Sequence, residues 1–394
     1  MACQKFTPSV VCDRYHWQMQ ATVQALADLI KTAGSDPARR PLRVRGGGSK
    51  DFYGEPIQGT VLDTGALDQV VAYEPTELVI TAGAGLRLRD LEALLATHNQ
   101  CLPCDPPHFG PDATIGGAVA AALSGPARAS VGAMKDFVLG IKMLNAAGEL
   151  LTFGGQVMKN VAGYDISRLM AGSMGTLGVL TEVSIKVLPV APAEANLKFN
   201  CDQARALSLI NTWGGQPLPL NASVWKRDKS GRDSLVVRLR GAVAAVDAAS
   251  ARMASDAAGY GISCAHVTTA EAEALWLSCR EQTHHFFTPP AADACLWRLS
   301  VAQTAPAMAA FSDALVEWHG ALRWVWAPAS DAEKVRQLAE DAGGHATLFR
   351  VSQAHGETDK TVGVFHPTPP ATSGIAQRLR EQLDPTGVFN THRL

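Results

Sequence analysis

The chain has 394 residues, which exceeds the length of one typical domain and predicts two or three units. Its 35 lysines and arginines nearly balance 37 aspartates and glutamates, so no basic field is available to hold nucleic acid or an anionic membrane. No apolar run reaches the roughly 18 residues of a membrane-spanning helix, and residues 1–14 lack the apolar core of a signal peptide. We therefore expect a soluble, cytoplasmic protein with no transmembrane segment, whose partners are specific small molecules or proteins.

The eight cysteines are scattered and do not form the dense framework of a secreted disulfide-rich domain. Cys101 and Cys104 form a lone CxxC pair in a proline-rich loop, and no second pair follows at the spacing of a zinc ribbon or of a four-cysteine cluster. Reduced thiols are therefore expected, without a metal ion or an iron–sulfur cluster in this chain.

The first predicted elements are a helix and a short strand that leads into a glycine loop. Apolar residues at helical spacing predict an amphipathic helix over residues 15–33, and residues 42–45 form a candidate strand that ends at Arg45. Gly46, Gly47 and Gly48 follow, then Ser49 and Lys50. Glycines without Cβ atoms can place backbone N–H groups against a bulky anion, and a hydroxyl and an ammonium can meet phosphate oxygens. A phosphate or pyrophosphate is the predicted ligand, and a flexible turn is the structural alternative.

Two further strands are predicted at residues 59–63 and 78–82, and the second runs into a Gly-x-Gly sequence and a helix over residues 86–98. This order is typical of the start of a Rossmann dinucleotide site. However, Leu88 stands where the third glycine is needed, and no acidic residue ends a second strand about 20 residues later. A nicotinamide site is therefore not predicted.

Residues 113–120 are dense in alanine and glycine, which indicates close packing. A tightly packed helix and a wall for a planar ring remain alternatives. A buried strand is predicted at residues 137–144. Gly172, Gly175 and Gly178 are spaced by three, and glycines are costly inside a helix, so an irregular loop is predicted to feed a strand over residues 179–188. Residues 189–195 are predicted to be a linker.

The second half of the chain has the order strand, helix, strand, strand, helix, which resembles a ferredoxin-like unit. The predicted strands are 196–200, 222–227 and 235–240, and the predicted helices are 204–213 and 243–258. Further strands at 296–301 and 322–326 are predicted to alternate with helices at 307–318 and 331–342. Leu322, Trp324 and Trp326 share one face of their strand, which is more typical of a core than of a base-stacking platform.

Glycine-rich passages spread over about 135 residues, with strands between them, resemble the FAD-binding domain of the vanillyl-alcohol oxidase and p-cresol methylhydroxylase (PCMH) superfamily. Within it, residues 102–108, 153–165 and 175–183 resemble the family of FAD-binding E subunits of bacterial glycolate oxidases (glycolate dehydrogenases). The likeness is strong over residues 12–189, weaker in the second domain, and returns near residues 384–390. It implies an α+β fold with a two-part PCMH-type FAD-binding domain (1–190), a smaller ferredoxin-like α/β cap domain (191–343) and a C-terminal segment (344–394) that returns to the FAD domain.

The resemblance also implies a non-covalent FAD site. The glycine loop and Ser49 would wrap the pyrophosphate, Pro107, Thr114, Gly116 and Gly117 would border the isoalloxazine and ribityl parts, and Gly132, Gly178 and Val179 would approach the nucleotide half. Some relatives bind FAD covalently through a histidine directly after the glycine loop, and Ser49 stands there in this chain. The predicted cofactor-binding residues are Arg45, Gly46, Gly47, Gly48, Ser49, Lys50, Pro107, Asp112, Thr114, Gly116, Gly117, Ser124, Gly132, Gly178, Val179 and Thr181.

Two departures from catalytic relatives shape the expected function. The second domain lacks their His-x-His-x-Gly-Asp-Gly-type motif: His284 and His285 are adjacent and are expected to diverge, and His345 stands alone. Residues 390–394 also depart from the usual Asn-Pro-Gly ending. The resemblance then implies an electron-transferring FAD subunit in the oxidation of glycolate to glyoxylate. Its partners would be a catalytic flavoprotein subunit and an iron–sulfur subunit, through which the complex would reach a membrane.

Two other functions remain open at this point. A self-sufficient FAD-dependent 2-hydroxy-acid dehydrogenase would need a cation for the carboxylate and a base, and Lys159, Arg168 and His108 are the candidates. Their structural alternatives are a phosphate or carbonyl contact for Lys159, an ion pair with Asp165 for Arg168, and a place along the proline loop for His108. A scaffold without flavin is disfavoured by the intact glycine loop and by residues 114–117. No catalytic residue is therefore assigned.

Overall fold

The computed structural model describes residues 10–36, 38, 40–155, 165–311, 313–389 and 391–394, and Lys159 lies outside them. The strands in this part of the chain are Leu42–Arg45 (β1), Thr60–Asp63 (β2), Val70–Glu74 (β3), Val79–Gly83 (β4), Gln100–Cys101 (β5), Val138–Leu144 (β6), Leu150–Gly154 (β7), Val179–Lys186 (β8), Leu188–Pro189 (β9), Ala193–Phe199 (β10), Leu220–Arg227 (β11), Asp233–Gly241 (β12), Cys264–His266 (β13), Ala294–Ser300 (β14), Ala314–Glu317 (β15), Leu322–Pro328 (β16) and His345–Arg350 (β17). The helices are Val10–Gly34 (α1), Leu88–Ala96 (α2), Ile115–Ala121 (α3), Arg128–Val131 (α4), Met134–Phe137 (α5), Ile166–Met170 (α6), Gln203–Gly214 (α7), Val243–Ala258 (α8), Thr269–Arg280 (α9), Ala332–Asp341 (α10) and Pro370–Leu383 (α11).

The first half of the chain is built on a five-stranded antiparallel sheet in the order β3-β4-β8-β6-β7. Helices α2 and α3 pack on this sheet through apolar side chains such as Leu91, Leu95 and Val119. A separate parallel pair, β1 and β2, packs with Leu26 and Ile30 of α1. Because β4 pairs antiparallel on both sides, the Gly-x-Gly sequence after it does not open a parallel βαβ unit.

The second half forms an eight-stranded sheet in the order β13-β10-β12-β11-β15-β16-β14-β17, and every pairing is antiparallel. Strands β10 to β13 alternate with α7 and α8 and lie in the spatial order fourth, first, third, second. This is the arrangement of a ferredoxin-like unit, so the predicted ferredoxin-like cap is confirmed. The predicted linker is shorter than expected, because β10 begins at Ala193 and only residues 190–192 separate it from β9.

Strands β14 to β17 repeat that order from the other end of the sheet, with α10 before β17. The helix predicted at residues 307–318 is wrong: β15 occupies 314–317, and no helix is present in the described residues from 302 to 313. The guanidinium of Arg323, 1% exposed, donates to the carbonyls of Ala305 and Pro306 at 2.5 Å each and to that of Gly320 at 3.3 Å. These bonds hold the segment before β15 as a loop.

The two halves meet through one face of the eight-stranded sheet. Tyr53 and Leu123 of the first half pack there against Leu315, Trp324 and Phe349, and the predicted shared face of Leu322, Trp324 and Trp326 lies in this apolar cluster. In the described part of the chain, no helix is long and apolar enough to span a bilayer.

The end of the chain packs against the first half. Val388 and Phe389 lie in the apolar cluster of α1, β1 and β2, and the amide of Leu42 donates to the carbonyl of Val388 at 2.7 Å. The predicted domain boundaries at 190 and 343 stay predictions. Strand β17 nevertheless lies in the eight-stranded sheet, beyond the predicted boundary at residue 343.

Candidate functional site

An open cleft of about 720 Å³ lies between the loop after β1, helix α3 and the loop before β8. We call it the glycine-loop cleft. Its lining residues are 44–51, 64, 84, 114, 116, 117, 120, 121, 173–175, 178, 180 and 393. Three separate glycine-rich passages and the C-terminal tail thus converge on one cavity.

The glycine loop is shaped by the segment that it presses against. A Cβ on Gly47 would lie 1.4 Å from the carbonyl oxygen of Asp112, one on Gly46 would lie 2.5 Å from Oγ1 of Thr114, and Gly48 has φ of +69°. The amides of residues 46–50 donate no hydrogen bond to any other residue that the structure describes. These unpaired donors border the cleft and are suited to an anionic ligand.

The loop before β8 is irregular, as predicted, and Gly172, Gly175 and Gly178 all have positive φ values. Backbone bonds from Gly172 to Val119, 3.0 Å, and from Met174 to Ala120, 2.9 Å, tie this loop to α3. Between them the Oγ of Ser173 is buried in the cleft lining and has no hydrogen-bond partner among the described residues. A buried hydroxyl without a partner is costly, so a ligand in the cleft would satisfy it.

Cations outnumber anions around the cleft. Lys50 is 8% exposed, and its Nζ lies 3.3 Å from both the His108 carbonyl and the Ser49 hydroxyl. Burial lowers the pKa of Lys50 to about 8, and the negative charge of Glu281 partly opposes this shift. Arg393 donates to the carbonyls of Lys50, 2.8 Å, and Tyr53, 2.9 Å, and burial lowers its pKa to about 10. The C-terminal tail therefore contacts the end of the glycine loop through Arg393.

Comparison with known proteins agrees with this geometry. Residues 20–154 match the model of the FAD binding domain family, so the chain contains an FAD-binding domain. Over 371 residues, 94% of this chain and 97% of the relative, it is 41% identical to the glycolate oxidase subunit GlcE of Escherichia coli (strain K12). The chain belongs to the GlcE family.

Other relatives share parts of this GlcE-family chain. The glycolate oxidase subunit GlcD of Bacillus subtilis (strain 168) is 32% identical over 153 residues, which are 38% of this chain and 32% of GlcD. The solved structure of p-cresol methylhydroxylase with substrate bound superposes with a TM-score of 0.66 at 13% identity, covering 94% of this chain and 87% of that one. The predicted PCMH-type fold is therefore confirmed.

The cleft brings together the larger part of the residues predicted to bind cofactor in this GlcE-family chain. Asp112 lies behind the glycine loop and contacts it through its carbonyl, while Gly132, with φ of +109°, lies against the side chain of Asp136. Val179 is buried in the cluster of α1, and Thr181 lines a separate groove beside that helix. The predicted residues on the cleft lining are Arg45, Gly46, Gly47, Gly48, Ser49, Lys50, Thr114, Gly116, Gly117 and Gly178.

Pro107 and Ser124 line a second cavity of about 340 Å³ between the two halves, which we call the interface cavity. The buried Glu317 also lines it and accepts a hydrogen bond from Nε1 of Trp324 at 2.8 Å. Burial raises the pKa of Glu317 to about 7, against the opposing effects of Trp324 and of Arg298. A carboxyl group that changes charge near neutral pH therefore lies in this cavity.

Sequence reasoning missed several residues of the cleft, among them Asp51, Ser173, Met174 and Arg393. Ser173 follows Gly172 in the loop that the spacing of the glycines predicts. That loop was the sequence signal that could have identified Ser173 as a cleft residue. Arg393 lies in a C-terminal tail that contains no recognisable motif. Its place on the cleft lining could therefore not be predicted from the sequence.

Two of the three candidate catalytic residues of the dehydrogenase alternative, Arg168 and His108, have other contacts, and the third, Lys159, lies outside the described residues. Arg168 pairs with Asp165 at 3.1 Å, as its structural alternative predicted. His108 lies in the proline loop with Nε2 3.2 Å from a carboxylate oxygen of Glu92. Neither residue lines the cleft or the interface cavity.

The histidines bring a correction. The rings of His284 and His285 lie 4.1 Å apart, so the expectation that they diverge is wrong, because they begin a 3₁₀ turn rather than belonging to a strand or helix. His345 lies 6.4 Å from the ring of His366 and is not isolated. Within the described ranges, no group of three or more His, Cys, Asp or Glu residues could hold a metal ion.

Proposed function

We propose that this chain is the FAD-binding subunit of a glycolate oxidase (glycolate dehydrogenase) complex and that it takes part in the oxidation of glycolate to glyoxylate by flavin electron transfer. The observation that carries the proposal is that the unpaired amides of residues 46–50 and the buried hydroxyl of Ser173 line the same cleft. Identity to GlcE along nearly the whole chain supports the choice of reaction.

The chain's own groups fit the parts of FAD. Amides 46–49 and the ammonium of Lys50 would hold the pyrophosphate, since unpaired N–H donors and a nearby cation favour phosphate oxygens. Gly116, Gly117 and Ala120 of α3 have small or no side chains, so the side of the cleft that they line has room for a planar ring. When bound, FAD supplies the hydride and electron transfer, and the residues around it orient it and limit access of water.

The residues of the cleft support the proposal of non-covalent attachment. Ser49 occupies the position directly after the glycine loop, and no described residue that lines the cleft is a histidine. A hydroxyl and the neighbouring ammonium can bind phosphate oxygens reversibly. We therefore propose that denaturation releases the flavin intact.

Partner subunits complete the proposed reaction. Arg168 and His108 are held in other contacts, so a base beside the flavin is better supplied by a second subunit. We propose a catalytic flavoprotein resembling GlcD and an iron–sulfur subunit, in a cytoplasmic complex whose contact with any membrane comes through the partners.

The visible spectrum of the purified chain, before and after denaturation, tests this proposal. We expect flavin bands, release of the flavin on denaturation, and no bleaching when glycolate is added anaerobically to the isolated chain. Addition of the partner flavoprotein and iron–sulfur subunit should then permit bleaching. Rapid bleaching of the isolated chain would instead support a self-sufficient dehydrogenase, and a colourless chain that takes up no added FAD would support a scaffold.

A further inference from the structure

The C-terminal tail, residues 384–394, brings a buried arginine to the glycine-loop cleft. Arg393 is 7% exposed and lies on the cleft lining. Its Nη2 donates to the carbonyl of Lys50 at 2.8 Å and to that of Tyr53 at 2.9 Å, and its Nε donates to the Tyr53 carbonyl at 3.2 Å. One side chain of the tail therefore fixes both carbonyls of the turn that follows the glycines.

The backbone of the tail is packed closely at the same place. The amide of Glu55 donates to the carbonyl of Arg393 at 3.1 Å. Gly54 has φ of +96°, and a Cβ on it would lie 3.0 Å from Cγ of Arg393 and 2.9 Å from Cε of Met174. Because Met174 also lines the cleft, the tail, the turn after the glycines and the loop before β8 meet here.

One buried carboxylate anchors the start of the tail. Asp384, 4% exposed, accepts from the amides of Val388 at 2.8 Å and Phe389 at 2.7 Å. The side chains of Val388 and Phe389 lie in the apolar cluster of α1, β1 and β2, and the amide of Leu42 donates to the carbonyl of Val388 at 2.7 Å. Since β1 leads into the glycines, the tail is bound to the chain on both sides of the glycine loop.

Arg393 also keeps a positive charge beside the loop. Burial lowers its pKa to about 10 and the charge of Asp51 opposes this shift, so the guanidinium is protonated at neutral pH. Asp51 itself accepts from Arg43 and Arg45, whereas Nη1 of Arg393 forms no hydrogen bond to another residue in the described ranges. A fixed cation on the cleft lining favours an anionic ligand.

We propose that Arg393 is a positioning residue of the flavin site, which holds the glycine loop in the shape that presents its amides to the FAD pyrophosphate. This role rests on the FAD binding of the proposed function and is independent of which subunit oxidises glycolate. Glycines lose more conformational freedom than other residues when they become ordered. A loop that the tail has already fixed therefore binds its ligand at a smaller entropic cost.

The Kd for FAD of the full-length chain, measured by fluorescence, tests this role. Arg393→Met keeps the apolar stem but removes the donors, and we expect the Kd to rise about tenfold or more. Arg393→Lys keeps the charge without the planar fork and should raise the Kd by only about threefold. Arg323→Met is the matched control: its guanidinium also donates to backbone carbonyls, those of Ala305 and Pro306, away from the cleft lining, and its loss should leave the Kd unchanged.

Asp384→Ala tests the tail from a position outside the cleft lining. The loss of an acceptor for two amides should loosen the tail, and the Kd for FAD should again rise, by about threefold or more. Asp228→Ala is the matched control, because this carboxylate accepts from the amides of Ser230 at 2.8 Å and Arg232 at 3.0 Å in the turn between β11 and β12. It should bind FAD as the wild type does.

Hydrogen exchange separates positioning from a general loss of stability. At saturating FAD, the amides of residues 46–49 should be protected in the wild type and in Arg323→Met, and they should exchange faster in Arg393→Met. Urea denaturation of the FAD-free chain records the stability of each variant. A raised Kd in Arg393→Met, beside an unchanged Kd in an equally destabilised Arg323→Met, would support the role of Arg393.

Two results would overturn that role. The Kd could stay within about twofold of the wild-type value in Arg393→Met, or it could rise equally in Arg393→Met and Arg323→Met. If Arg393→Met does not fold, an unchanged Kd in both Arg393→Lys and Asp384→Ala would contradict it in the same way. A wild-type chain that takes up no FAD contradicts the proposed function, whereas a wild-type chain that binds FAD beside unaffected variants contradicts the positioning role alone.

Discussion

Gly47 has no side chain because the space that a Cβ would fill is already occupied by the carbonyl of Asp112. The three consecutive glycines predicted an anion-binding loop from backbone freedom alone. The constraint on Gly47, however, comes from a residue 65 positions later in the chain, which local sequence cannot show. The positions of Ser173 and Arg393 on the cleft lining could not be predicted for the same reason.

Replacement of Gly47 by alanine should remove most of the bound flavin. The new Cβ would lie 1.4 Å from the Asp112 oxygen, so the loop must move away from the segment that positions Thr114. The ratio of flavin to protein absorbance measures the effect. Gly214→Ala, at the end of α7 with no atom within 4 Å of its new Cβ, should keep full flavin content; equal occupancy in both variants would contradict the role of Gly47.

FAD affinity should fall as pH rises through about 8. Burial lowers the pKa of Lys50 to about 8 in the free protein, and a phosphate nearby would favour the ammonium, so the complex holds more protons than the free chain above that pH. The Kd for FAD, measured by fluorescence between about pH 7 and 9, should increase by up to about tenfold for one pH unit. Lys50→Met should flatten this dependence, whereas a profile identical to the wild type would exclude Lys50 as its cause.

Helices and strands with a long, regular hydrophobic pattern could be predicted from the sequence, whereas short isolated strands could not. The order from β10 to α8 followed from its periodicity, and the glycines before β8 indicated an irregular loop. The three-residue strand β13, which completes the ferredoxin-like unit, was not predicted. Strand β15 was mistaken for part of a helix, because its four residues are all buried and show no alternation, while the preceding residues are rich in alanine. Its pairing with β11 and β16 and the hydrogen bonds of Arg323 determine the local structure instead.

The end of α9 and the proline loop are joined by one carboxylate. Glu281 accepts from the amide of Phe109 at 2.8 Å and from that of His108 at 3.2 Å. Glu281→Ala should lower the free energy of unfolding by about 1–3 kcal/mol, because both amides lose their acceptor. Urea denaturation measures this loss. Glu273→Ala, an exposed change on the same helix, should stay within about 0.5 kcal/mol of the wild type, and similar losses in both variants would contradict the assignment.

At the scale of the whole molecule, the two halves are joined by polar contacts that no single passage could reveal. The resemblance implied both domains and the order of the chain, and the fold confirmed the architecture. The contacts between the halves depend on residues far apart in sequence, such as Asp105 with Arg238, or Ser130 with His319. Arg128 and Arg298, which are 170 positions apart, likewise both contact the ring of Trp318, at 4.4 Å and 5.1 Å from its centre.

The ion pair between Asp105 and Arg238 should stabilise the association of the halves. Arg238 is 3% exposed, so Asp105→Asn would leave a buried guanidinium without its counterion and should cost about 3 kcal/mol in thermal or urea unfolding. Asp233→Asn makes the same chemical change in the more exposed pair with Arg227 and should cost less than about 1 kcal/mol. A larger loss for Asp233→Asn than for Asp105→Asn would refute this ranking.

The repeated strand order of the eight-stranded sheet predicts the order in which its parts fold. Each unit draws its strands from one continuous stretch, residues 193–266 or 294–350, and contacts between nearby residues form fastest. Only two residue pairs, Val224 with Glu317 and Trp225 with Val316, join β11 to β15 among the described residues. The units should therefore form early and separately, and the amides that donate across the β11–β15 pair should be among the last of the sheet to gain protection from hydrogen exchange during refolding.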